Sequence, residues 1–478
     1  MSVKIIHPDT FEAQNHWYAS AHNATLHPMM KFFLNMSTDQ ISERYCHLHP
    51  EVEKQSVDEL LNYKPKFFMH SGTDLIHVAS KDGNRKMVVI ETNSSPSGQK
   101  SMPVVDDFQE MGGYRNYVEQ TFKPYLKGKR MIDGALAVIY DKNPMEASGY
   151  AHAMADVFKE NVFLIPFFNN GAADETIRVN NGVIEFQNEQ KWVPIRACFR
   201  YVTQKPWNRL PITGKTIVLN PVITCLAGGR NKLVASKAYE MFNADFKRSN
   251  LVINTPETIW DVGKEEIPLW VERMGGKAVI KIPYSNAGQG VFTIVNEEEL
   301  QRFMERDFEY DKFIVQALIG NREWSSEFTG GKLYHVGTVP TKRGKSYAMD
   351  VRMIIHYTKE GFKPLSLYSR RAEKPLAKTI QSGEESWSIL GTNLSVKEGE
   401  NQWNSDVSRL LMMDVKGFNL LGVGLDDLMD GFIQSVMATK AIDDMAMRLV
   451  SSKSTFRKNL FKELNNDASL LNEIKYDK

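Results

Sequence analysis

Between Thr73 and Asn93 the chain runs TDLIHVAS, then KDGNRK, then MVVIETN. Two apolar, β-branched runs joined by a polar turn containing Asp-Gly define an antiparallel hairpin. That pairing carries Asp74, near the start of the first strand, and Glu91, near the end of the second, to the same end of the hairpin. The two-residue period of a strand then places Glu91 and Asn93 on one face, where the chain leaves the sheet in the stretch SSPSG. Asn, Ser and Pro there suit a strand-end turn whatever the function. An acid and an amide side by side, with a second acid across from them, also ask what other part of the chain needs them.

At 478 residues the chain is too long for one compact core and suggests two or three domains. A hydrophobic share of 42%, a charged share of 24% and a net charge of +1 describe an ordinary globular protein. Nothing in that balance calls for a polyanion, so no nucleic acid is expected as partner. The opening MSVKIIHPDTFEAQNHWYASAHN has no basic segment followed by an apolar one, and no apolar run reaches membrane-spanning length. A cytoplasmic protein with no membrane partner is the expectation. Three scattered cysteines, Cys46, Cys198 and Cys225, are too few for a disulfide framework or a zinc site.

Element order divides the chain into three regions: 1–112 with the hairpin, 113–225, and 226–478. In the second, GALAVIYD reads as a buried strand and NPMEASGYAHAMADVFKE as a helix, with Asn143 as N-cap, Pro144 at its first position and Glu146 at the capping-box position. NVFLIPF is the next strand, and strand, helix, strand implies a parallel α/β domain. The third region holds AVIKIPYSNAGQGVFTIV, a helix opened by Asn296 with Glu299 three residues on, and the strand KFIVQAL. A glycine-loop subdomain is expected over about 245–320, and the last part of the chain looks mainly helical. The fold class expected is α/β (α+β).

In AVIKIPYSNAGQGVF, Lys281 on an apolar strand precedes Ser285, Asn286, Gly288, Gln289 and Gly290. One cation and a loop whose backbone N–H groups are open to close approach can cradle phosphates. The Lys comes before the glycines, so this is not a Walker A loop. By itself the loop reads equally as a hairpin turn.

These segments together resemble the ATP-grasp superfamily in order and spacing. The resemblance implies ATP contacts from Lys232 at the helix start in RNKLVASK and from Lys281 and its glycine loop. It also implies adenine recognition at the hinge strand by Gln316 and Leu318, and ribose binding by Glu323, seven residues beyond the hinge residue. The superfamily's metal motif, Asp, hairpin, Glu-x-Asn, resembles the opening hairpin, which implies Asp74, Glu91 and Asn93 as ligands of magnesium, two ions being expected. Hard oxygen donors suit that ion, which keeps several waters. Here the hairpin precedes the nucleotide-binding segments. That rotated order resembles the circularly permuted ATP-grasp ligases, among them glutathionylspermidine synthetase and eukaryotic glutathione synthetase, over roughly residues 65–395.

Eukaryotic glutathione synthetase and the dipeptide ligases carry an Arg two residues before the metal Asp, and Gly72 stands there in this chain. Arg352, Arg370 and Arg371 are the candidates to replace it, since a guanidinium fork suits phosphate and carboxylate alike. The resemblance implies an ADP-forming ligase that joins a small-molecule carboxylate to an amine through an acyl phosphate. A small-molecule kinase and a non-catalytic nucleotide-binding module are the alternatives. A homodimer is expected only as the commonest oligomer.

Overall fold

The computed structural model describes residues 2–103, 110–168, 176–285, 288–327, 330–380, 383–397 and 403–474; Asn286 of the glycine loop lies outside them. The α/β region is built on a seven-stranded sheet whose middle is parallel. Ala135–Tyr140 lies between Val162–Pro166 and Lys191–Tyr201, with Lys4–Ile6 at one edge and the strands Val183–Asn188 and Ile177–Asn180 at the other. Helix Pro144–Phe158 makes the crossover. Asn143 precedes it, but with φ 46° and no side-chain cap, so the expected capping box does not form. Glu146 has better partners: it accepts from Gly98 N and Gln99 N, at 2.9 and 3.0 Å, and from Ser97 Oγ at 3.0 Å. Tertiary hydrogen bonds have outcompeted the local cap.

The opening hairpin is β1 (His70–Ser80) and β2 (Arg85–Asn93), with Asp74 directly opposite Glu91 and Gly72 opposite Asn93. Helix α1 (Lys232–Asp245) follows the α/β region, and the Asn231 side chain caps it by accepting from Val234 N. A four-stranded antiparallel sheet then contains β3 (Ala278–Lys281), β4 (Val291–Ile294) and β5 (Phe313–Ala317), with Thr258–Val262 beyond β5. Asn296 caps the next helix through Glu299 N, whereas the Glu299 carboxylate turns to Val295 N and to Ser386, so this cap is one-sided.

The chain then returns to the hairpin. Strands β6 (Met349–Thr358) and β7 (Gly361–Arg371) extend its sheet in the order β2-β1-β6-β7, with Arg352 opposite Asp74 and Tyr368 opposite Arg352. One face of this sheet is covered by α2 (Leu425–Leu449), and Leu75, Met87, Val89, Val351 and Met353 join one core with Leu428, Phe432 and Val436. Gly431 permits that approach, because a Cβ there would meet Leu75 Cδ1 at 3.0 Å.

Two later helices, Lys458–Leu464 and Ala468–Ile474, tie the segments together. Asn465 donates to the Tyr284 hydroxyl at 2.6 Å and accepts from the Asn231 amide at 2.7 Å, while Asp467 accepts from the backbone N–H of Asp311 and Lys312. No helix among the described residues is long and apolar enough to cross a membrane.

The buried carboxylate of Asp443 on α2 accepts from three consecutive N–H groups, Lys66, Phe67 and Phe68, each at 2.8 Å, and from the Tyr63 hydroxyl. Removing it leaves buried donors unpaired, so Asp443→Ala is expected to cost about 3 kcal/mol. Asp443→Asn, which keeps one carbonyl oxygen, should cost less; urea unfolding of the two variants checks both.

Candidate functional site

The face of the β2-β1-β6-β7 sheet away from α2 is polar. Directly opposed residues of antiparallel strands share a face, so Glu91, Asp74, Arg352 and Tyr368 form one row across four strands. Asp350 and Arg370 form the next row, and Gly72 with Asn93 flank the first.

Glu91 reaches this face by an irregularity. The register steps from Asp74↔Glu91 to Leu75↔Val89, which leaves Ile90 as an extra residue. Val89 belongs to the core under α2, and strict alternation would bury Glu91 beside it. The bulge resets the phase and turns the carboxylate outward, a common device beside functional sites.

Asp74 is held by two arginines. Arg352 is bidentate to it, with Nε and Nη2 at 2.5 and 2.6 Å, and Arg370 Nη2 donates at 3.0 Å. Arg370 also forks onto Asp350, which accepts in addition from Thr392 Oγ1 at 3.0 Å. Burial opposes the charge on Asp74, but Arg352 and then Arg370 outweigh it and hold the carboxyl far below the usual carboxylate range. Gly72 now has a steric reason: a Cβ there would lie 2.4 Å from Pro96 Cβ, so no arginine could stand at that position. Arg352, from the neighbouring strand, brings the guanidinium to the same carboxylate. Arg371 does not take part. It sits one residue out of phase, on the opposite face, with its guanidinium 4.6 Å over the Tyr347 ring.

Beside Glu91 opens a cleft whose lining includes Glu91, Lys232, Lys281 and Gln316. Lys232 Nζ lies 3.4 Å from Glu91 Oε1 and donates to Ser285 O at 2.7 Å, which ties helix α1 to the glycine loop. Lys281 Nζ points to Ile90 O, the carbonyl of the bulge, at 3.5 Å. Burial brings Lys281 down to about 8; Lys232 adds to that shift, while Glu91 and Asp74 oppose it. The Gln316 amide donates to Thr258 Oγ1 at 2.8 Å, and its side-chain oxygen remains as an acceptor.

The glycine loop connects β3 to β4. Ile282 N donates to Gly290 O, and a Cβ at Gly290 would meet Ser285 Oγ at 2.4 Å, so the turn closes only with glycine there. Gln289 is exposed, and Gly288, at φ +74°, packs near Trp387 and Asn393.

Two of the expected residues lie outside the lining of this cleft. Leu318 does not line it, and both its main-chain groups are engaged: N donates to Ser326 Oγ at 2.7 Å and O accepts from Ser326 N. Glu323 is exposed on the turn that follows and is also absent from the lining. Conversely Ser236, Tyr239 and Asn243 line the cleft from α1. Their spacing from Lys232, four, seven and eleven residues, is that of one helix face, a signal the sequence carried without a motif.

Asp74, Glu91 and Asn93 lie on one face, where two carboxylates and an amide offer oxygen atoms of the kind magnesium takes. Asn93 donates to Gly72 O at 3.4 Å, which leaves its amide oxygen as an acceptor, while Asp74 already accepts from Arg352 and Arg370 and Glu91 faces Lys232. Among the described residues no group of three or more His, Cys, Asp or Glu side chains is arranged to hold a metal ion.

No family model and no curated protein matches the chain. Solved structures to which it is similar include an ATP-grasp RimK domain protein from Sphaerobacter thermophilus, at 14% identity and TM-score 0.30, covering 49% of this chain and 90% of that one. A glutathione synthetase-like effector from Globodera pallida matches at 11% identity and TM-score 0.38, over 73% of this chain and 86% of that one. D-alanyl-alanine synthetase A from Vibrio cholerae matches at 11% identity and TM-score 0.33, over 49% and 88%. These are likenesses of fold, and the roles assigned below stand on the geometry of this chain.

Because Asp74 is buried, Arg352→Ala removes two of its three guanidinium contacts and is expected to destabilise the protein by about 3 kcal/mol. The double variant Asp74→Ala/Arg352→Ala should cost clearly less than the sum of the singles, with a coupling above about 1 kcal/mol in a denaturation cycle.

Proposed function

We propose that the protein is an ADP-forming ATP-grasp ligase of the circularly permuted type, joining a small-molecule carboxylate to an amine through an acyl phosphate. The observation that carries this reading is the single cleft lined by Glu91, Lys232, Lys281 and Gln316, which come from three separate parts of the chain. An amide acceptor, two lysines and an acid lining one cleft suit a nucleotide: Gln316 for the base, Lys232 and Lys281 for the phosphates.

Magnesium would be held by Asp74, Glu91 and Asn93, where it would neutralise phosphate charge. The two lysines lower the same barrier from the protein side. They offset the negative charge that keeps a substrate carboxylate from approaching the γ-phosphorus. Arg352 and Arg370 stand one and two strands beyond Asp74 on the polar face, where they would steady the acyl phosphate and the tetrahedral centre formed when the amine attacks. The proposed reaction needs no protein nucleophile, since the phosphoryl group supplies the activation.

The test is ADP release from magnesium-ATP with pooled metabolite carboxylates, with and without hydroxylamine, followed by mass spectrometry. A hydroxamate that disappears in Glu91→Ala is the expected result and names the acid. ADP together with a phosphorylated pool member and no hydroxamate would replace the ligase by a kinase.

Lys281 gives a second check through its proton. Its pKa in the free protein, about 8, lies below the ordinary lysine value, and a bound triphosphate favours the charged form. Affinity for an ATP analogue should therefore fall as pH rises above about 8. Lys281→Met should bind more weakly at neutral pH and lose that slope; an unchanged slope would remove Lys281 from the phosphate site.

A further inference from the structure

Three segments distant in sequence adjoin on the surface, and none of their residues lines the cleft. Leu26 forms an antiparallel bridge with Asp414, and His27 N donates to Met413 O at 2.9 Å. His27 is the N-cap of the helix Pro28–Leu34, and its ring lies 4.5 Å from that of Phe418 on the helix Val415–Leu421. Near the end of that second helix Leu420 O accepts from Val339 N at 2.9 Å, and Val339 leads into a turn in which Thr341 N donates to Lys345 O. Residues 339–345 are all exposed, so this turn projects from the surface.

Met29, Phe32, Val339, Val415 and Leu420 are five of the eleven large hydrophobic side chains left exposed among the described residues, Phe32 at 54% and Val415 at 50%. Scattered singly such residues need no explanation, but their concentration on adjoining segments marks a contact surface. Met29 and Phe32, three residues apart, share one helix face, and Lys416 and Leu420, four apart, share another.

The charges in the same place have one sign. Lys31, Lys342, Arg343, Lys345 and Lys416 are exposed, and among the described residues none of them makes an ion pair within 4.0 Å. Within 26–32, 339–345 and 413–420 the single acid is Asp414, which is committed to capping the second helix through Gly417 N at 2.8 Å. A second copy of this chain is a poor cover, because an isologous contact would bring like charges together. An anionic partner is favoured. A projecting turn beside two convex helix faces suits a broad flat surface, whereas an acidic peptide docks in a groove or along a sheet edge.

We propose that this surface seats the protein on an anionic phospholipid bilayer. The apolar side chains enter the headgroup boundary, and the lysines and Arg343 lie over the lipid phosphates and carboxylates. The hydropathy of the sequence points to no membrane partner, but it registers spanning runs and not a surface assembled from three segments. The inference does not depend on the ligase reading.

The test is flotation of the full chain with vesicles of phosphatidylcholine alone and of phosphatidylcholine with about one third phosphatidylserine. Apparent affinity for the mixed vesicles should exceed that for phosphatidylcholine by about tenfold or more and fall as salt is raised. The triple variant Lys342→Gln/Arg343→Gln/Lys345→Gln should lose about tenfold or more of that affinity. Phe32→Ser should lose about threefold or more and keep the salt dependence. Both sites are exposed, so both variants should keep the wild-type Tm. Equal binding to the two vesicle types, binding to neither, or binding that neither variant weakens would overturn the proposal. Capture of a polyglutamate peptide without vesicle binding would also overturn it and assign the surface to an acidic protein. A dimer in sedimentation velocity that Phe32→Ser dissociates, again without vesicle binding, would assign it to a second copy instead.

Discussion

The carboxylate of Asp74 under two guanidinium groups is the interaction on which the rest of the site depends. It is a buried charge, and a buried charge is tolerable only when paired and hydrogen-bonded. The partners come from β6 and β7, far along the chain from the hairpin that carries the acid. The pairing therefore fixes more than one contact: it sets the register of three strands on their polar face, while α2 fixes the other face by packing. Between them the two faces leave the row Glu91, Asp74, Arg352, Tyr368 one arrangement. The two acids of that row stand side by side, and each is offset by cations from other elements, Glu91 by Lys232 and Asp74 by Arg352 and Arg370.

The cleft follows the same logic of parts brought from a distance. Its lining takes the bulged end of β2, one face of α1 and the strands β3 and β5. None of these segments needs to come in a particular order along the chain, because what the chemistry requires is proximity in space. Lys232, bonded to Ser285 O and 3.4 Å from Glu91 Oε1, and Lys281, aimed at Ile90 O, are among the places where the three parts touch through polar atoms. Each lysine thus has a structural partner that a ligand phosphate could replace, which keeps the cations ordered and available.

Much of this was legible in the sequence, and the limits of legibility have physical causes. The hairpin and the Asp74–Glu91 pairing follow from a two-residue period and an Asp-Gly turn. The outward aim of Glu91 does not, because the Ile90 bulge appears only when the partner strand is present. Arg370 and Arg371 look equivalent as neighbours in sequence, yet face parity puts one on Asp74 and the other on Tyr347. Leu318 and Glu323 were placed by analogy of spacing, and Ser326, whose hydroxyl occupies the Leu318 N–H, has no sequence signal.

The bridge made by Asn465 bears on how the molecule is made. Tyr284, beside the glycine loop, and Asn231, which caps the helix bearing Lys232, are joined through a side chain that emerges from the ribosome after both of them. Asp467 likewise fastens a turn, at Asp311 and Lys312, that is already synthesised. During vectorial synthesis the α/β region can fold early, as N-terminal units generally do. Until the segment Lys458–Ile474 arrives, Tyr284 and Asn231 lack this bridge, and the helix and the loop of the cleft are joined only through Lys232, to Ser285 O and Pro283 O, and the contacts around them. A nascent chain therefore passes through an interval in which the cleft's residues exist without their last tie.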